Sequence, residues 1–148
     1  MTIAAIQIGL HPDVVDYGSP GFARFGGLTP DKLQAAHDGN IAQLRRAGFD
    51  VDGCQVDLGE TAVETVRRAI TAKRYDAVLI GAGIRLVASN TVLFEAIVNT
   101  VHEQLPAARF VFNTDAVTSP RDIRRWFGDP EPVPLHVGRA EPETEEES

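Results

Sequence analysis

The chain has 148 residues and is 43% hydrophobic, which suffices for one domain with its own core and without metal or disulfide support. Its net charge is −7, and from Asp129 to Ser148 seven acids stand against one arginine. The body is therefore near neutral, and a basic nucleic-acid footprint is excluded. The single cysteine, Cys54, excludes an internal disulfide and fits a reducing compartment.

No run approaches the ~18 apolar residues of a membrane span, and the first residues lack the basic region of a signal peptide. The expectation is a cytoplasmic protein with no membrane partner. Residues 1–138 are expected as a single domain, and 139–148, ending in AEPETEEES, as a disordered acidic tail.

In chain order, TIAAIQIGL (2–10) reads as a strand apolar on nearly both faces. His11 to Leu28 is rich in Gly, Pro and Asp and reads as a long loop. Thr29-Pro30 opens a helix, Thr as the cap and Pro at the first helical position. Leu33, Ala36, Ile41, Leu44 and Ala47 form its apolar stripe, and Gly48 ends it. VDGCQVDL (51–58) alternates, as an edge strand does. A second helix runs from about 60 to 73 with Ala62, Val63, Val66 and Ile70 inward. DAVLIGAG (76–83) is apolar without alternation and predicts a central strand covered on both faces. A third helix spans about 91 to 104, RFVFN (109–113) predicts another covered strand, and SPRDIRRWF (119–127) opens with a capping box on Ser119 and Asp122. VPLHV (133–137) reads as a short fifth strand, confined by its prolines to an edge.

Strand and helix alternate regularly, so the fold class is α/β with a parallel sheet and helices on both faces. The edge-like second strand sets the order 2-1-3-4, with any fifth strand beyond the fourth. That is a three-layer, doubly wound sheet of the flavodoxin-like, Rossmann-like kind, with four or five mainly parallel strands. Ligands in such sheets bind outside the carboxyl ends of the strands, at the switch point, here between strands one and three.

The turn after strand three carries Gly81 and Gly83, but Leu86 stands where a dinucleotide fingerprint has its third glycine. The acid that would hold a ribose, Asp115, comes about 29 residues after Leu86, against a usual spacing of ~20. The glycines read first as a sharp corner after a buried strand, and as nucleotide or flavin ligands only in the alternative reading. No His, Asp or Glu grouping has metal-ligand spacing.

The strand ends gather polar groups. His11 follows strand one, Arg85 lies beyond the glycine pair, Ser89 and Asn90 precede the third helix, and Asn113 and Asp115 leave strand four. Arg85 and the helix start suit a carboxylate or phosphate, and His11 suits proton transfer at neutral pH. Cys54 reads as a small hydrophobe, and His37 and His102 as surface or packing residues. The loop DYGSPGFARFGGLTP (16–30) carries Tyr17, Phe22 and Phe25, large apolar groups that must pack on something. A lid with Arg24 turned inward fits it, as does an arm clasping a second subunit.

The expectation for function is a small, metal-independent enzyme without a cofactor. It acts on a small anionic or carbonyl-bearing metabolite by proton transfer or hydrolysis. Catalysis is expected of His11, Arg85 and Asp115, and substrate contact of Tyr17, Arg24, Ser89, Asn90 and Asn113. The alternatives are a nucleotide- or flavin-binding module of an oxidoreductase, and a non-catalytic interaction subunit. A homo-oligomer is expected on the frequency of cyclic assemblies.

Overall fold

The computed structural model describes residues 2–115 and 117–127. Within them, four strands form one parallel sheet: β1 (Ala4–Leu10), β2 (Asp50–Val56), β3 (Ala77–Ile80) and β4 (Arg109–Val111), in the order β2-β1-β3-β4. This is the flavodoxin-like order, and the winding direction reverses between β1 and β3. The expected fifth strand and acidic tail lie outside the described residues.

Among the described residues, five α-helices accompany the sheet: α1 (Pro30–Arg46), α2 (Ala62–Thr71), α3 (Ala82–Arg85), α4 (Thr91–Gln104) and α5 (Ser119–Arg124). Thr29 caps α1, its side chain accepting from the Lys32 amide at 3.2 Å. Gly48 follows the helix at φ 100°, a left-handed conformation that a Cβ would strain.

Side chains of a strand alternate between faces, and β1 divides the core accordingly. Ile6, Ile8 and Leu10 pack with Val66 and Ile70 of α2 and Ile97 and Val101 of α4. Ala5 packs on the other face with Ile41 and Leu44 of α1 and Ile123 of α5. Two core clusters, one on each face, make the three layers. All four residues of β3 are buried, which is why its sequence shows no alternation.

Three local readings differ. The fourth strand is not covered throughout: β4 borders the described sheet, and Arg109 is exposed. The cap of α5 is Thr118, and Ser119 is already helical and buried. Asp122 serves a different purpose from a capping box, described below. The chain from 11 to 28 is also more ordered than a loop, folding into 3-10 turns at Pro12–Val14 and Pro20–Phe25. Phe22 is buried there, with its ring 5.7 Å from that of Phe25. No helix among the described residues is long and apolar enough to cross a membrane.

Candidate functional site

The α1 face of the sheet becomes sparse toward the carboxyl ends of the strands. After Ala5, that face of β1 presents Gln7 and Gly9, and Gly53 of β2 pairs with Gln7. Gly81 follows β3 directly, its amide donating to Ile8 O at 2.9 Å. Gly9 and Gly81 border a space left unfilled there, while His37 and Ile41 close over Gly53. The space is a cavity of about 340 Å³ at the switch point, where such sheets hold their ligands.

The apolar wall of the cavity comes from Leu10, Phe22, Phe25, Leu28, Leu33 and Leu86. The loop is brought close by Gly21, where a Cβ would stand only 2.8 Å from Val87 Cγ1. Arg24 is exposed rather than turned inward, and its Nη1 donates to Leu86 O at 2.7 Å. That bond ties the aromatic loop to the end of α3.

Arg85 lines the cavity, half-buried. Its Nε donates to Ile80 O at 2.6 Å, and its Nη2 to Asn113 Oδ1 at 2.9 Å and to Asn113 O at 3.2 Å. The guanidinium lies 5.1 Å from the Phe112 ring centroid. Among the described residues it has no carboxylate partner. Burial pushes its pKa down, and the charge of Asp122 partly restores it. A half-buried cation held by neutral oxygens favours an incoming anion.

Asn113 lines the cavity too, but its amide is occupied, since Nδ2 donates to Ser119 Oγ at 3.2 Å. It positions Arg85. The following loop is fixed by Asp122, whose side chain is 0% exposed. Asp122 accepts from Thr114 N at 3.0 Å, Thr118 Oγ1 at 2.7 Å and Arg125 Nη1 at 2.9 Å. These hydrogen bonds and the two arginines beside it hold its carboxyl below the ordinary range, although burial opposes them. The network keeps Thr114 and Asp115 at the cavity rim, where Asp115 Oδ1 accepts from Val117 N at 3.2 Å.

Most of the other residues singled out in the sequence stand elsewhere. His11 is exposed and does not line the cavity; its Nδ1 accepts from Asp13 N at 3.1 Å and caps the turn at Pro12–Val14. Tyr17 donates to Pro12 O at 2.7 Å, outside the cavity. Ser89 is exposed, and Asn90 is buried with its Nδ2 on Gly83 O at 2.9 Å. Neither lines the cavity. Gly83 does, and a Cβ there would lie 3.5 Å from Leu10 Cδ1. Cys54 is buried on the opposite face, and burial raises its thiol to about 11. Among the described residues, no group of three or more His, Cys, Asp and Glu could hold a metal ion.

Gln7 and Asn40 escaped the sequence reading, and His37, read there as a surface or packing residue, lines the cavity with them. His37 lies over the glycines of both strands. A Cβ at Gly9 would stand 3.3 Å from its Nδ1, and one at Gly53 2.8 Å from its Nε2. Neither ring nitrogen has a hydrogen-bond partner among the described residues. Burial lowers the imidazole pKa, and Asp38 opposes the shift. Asn40 Nδ2 donates to Gln7 Oε1 at 2.6 Å, while the buried Asn40 Oδ1 has no partner. The available signal was helical spacing, since 33, 37, 40, 41 and 44 share one face of α1.

Comparison with family models, with curated proteins and with solved structures finds no match.

Proposed function

We propose that the protein is a small enzyme that binds an anionic, carbonyl-bearing metabolite in this cavity and catalyses proton transfer. The observation that carries the reading is Arg85, a cavity-lining guanidinium anchored by Ile80 O and Asn113 with no carboxylate of its own. An anion bound there gains a charge-assisted contact in a partly desolvated setting.

His37 takes the role first assigned to His11. Burial lowers its pKa and so favours the neutral imidazole, the form able to accept a proton. It removes a proton from the carbon beside the ligand's carbonyl. The C–H electron pair moves toward the carbonyl oxygen, where Gln7 and Arg85 oppose the developing charge. The imidazolium then returns the proton. The apolar wall restricts water around the reacting carbon.

The test is deuterium exchange, followed by NMR in D2O, at the carbon beside the carbonyl in a panel of keto acids. Exchange is expected with the full chain. His37→Gln should lower it by about 10²–10⁴-fold while leaving ligand-induced thermal stabilisation intact. Arg85→Gln should remove both. Equal exchange by all three proteins would overturn the reading.

A further inference from the structure

The cavity constrains what its ligand looks like, given the reading that Arg85 holds an anion. Two polar side chains, Arg85 and Gln7, line it near the end of β3. Arg85 Nε is bonded to Ile80 O at 2.6 Å, and Gln7 Nε2 lies 3.7 Å from where a Cβ on Gly81 would stand. Both therefore flank the Ile80–Gly81 peptide. A ligand that spans the floor can meet both groups.

The orientation of Gln7 is fixed from behind. Asn40 is 8% exposed and Gln7 is 6% exposed, and both line the cavity. Asn40 Nδ2 occupies Gln7 Oε1, which leaves Gln7 Nε2 as a donor with no partner among the described residues. That donor belongs to a cavity-lining residue, so an acceptor placed opposite it gains a hydrogen bond. The ligand atom opposite Gln7 is accordingly an acceptor, such as a carbonyl oxygen. A carboxylate at Arg85 with a carbonyl on the adjoining carbon meets both demands.

The remaining volume is apolar. Phe22, Phe25, Leu28 and Leu33 face the same space, and about 340 Å³ falls at the small-ligand end of binding cavities. A phosphate ion or a three-carbon acid would leave most of it as water against phenyl rings and leucines. We propose that the site selects a 2-oxo acid bearing an aromatic or large branched side chain, with its carboxylate on Arg85, its oxo group on Gln7 and its side chain against Phe22 and Phe25.

The experiment is calorimetric titration of the full chain with four probes: phenylpyruvate, 3-phenylpropionate, pyruvate and inorganic phosphate. Phenylpyruvate is expected to bind on the order of 10- to 100-fold more tightly than pyruvate, the effect of burying one ring. It should exceed 3-phenylpropionate by about 10-fold, the effect of one satisfied hydrogen bond. Gln7→Leu should abolish the second difference and keep the first. Should that variant not fold, the probe series on the unaltered chain still decides. Pyruvate or phosphate binding as tightly as phenylpyruvate, and still depending on Arg85, would overturn the selectivity and leave the anion site standing. No binding by any probe would overturn both.

Discussion

The two faces of β1 carry opposite designs on one strand. Toward α2 and α4, Ile6 and Ile8 are at most 1% exposed and fill their space, and Leu10 at the strand's end also borders the cavity. Toward α1, Ala5, Gln7 and Gly9 follow one another, and the last two line the cavity. The dense face yields stability from burial and dispersion. The open face gives up part of that gain to keep a cavity with a buried amide pair at its floor. Packing and binding are thus separated by the strand's two-residue period rather than by distance along the chain.

The contrast can be broken first at its strongest point. Ile8→Ala on the dense face should cost about 2–5 kcal/mol of unfolding free energy, measured by urea denaturation, without changing the cavity lining. A smaller loss would show that the dense face relaxes easily.

Gly53→Ala comes next, because its Cβ would stand 2.8 Å from His37 Nε2 and 2.9 Å from Ile41 Cδ1. Overpacking there should cost about 1–3 kcal/mol and displace the His37 ring, read as a shift of its imidazole NMR signals. An unchanged His37 spectrum would refute the stacking of imidazole over glycine.

The third test separates the two designs. The double variant Gln7→Met/Asn40→Leu replaces both partners of a buried hydrogen bond, including the unpartnered Asn40 Oδ1. Its stability should stay within about 1 kcal/mol of the parent, or rise, while binding to the cavity falls. Loss of both together would mean that the pair is part of the core and not of the site.

The smallest effect is a pH dependence. Burial depresses the His37 pKa in the folded chain, so between that value and the ordinary value the unfolded chain binds more protons. Stability then rises with pH across this window and is lost as pH falls through it. Urea midpoints at pH 7 and at mildly acidic pH should differ more for the parent than for His37→Gln. An equal or larger difference in the variant would contradict the depressed pKa.

Much of this architecture was legible in the residues. The uninterrupted apolar run of β3, the alternation in β2 and the Thr29-Pro30 helix start led to the strand order found. Arg85, Asn113 and Asp115 were placed at the rim because parallel strands deliver their carboxyl ends to one edge, and all three line the cavity. His11 also leaves a strand at that edge, but its ring caps the turn beside it. A neighbouring backbone amide was nearer than any ligand space.

The sequence by itself determined the periodicities, and through them the element types, their order and the face of each strand that is apolar. These are local properties, written in spacings of two and of about 3.6 residues. The tertiary structure alone decided which groups meet. Gln7 and Asn40 are 33 positions apart, Arg85 and Asn113 are 28 apart, and His37 reaches glycines on two different strands. Such meetings depend on how α1 crosses the sheet and on how closely its side chains approach the glycines beneath it. Neither quantity has a local pattern to reveal it.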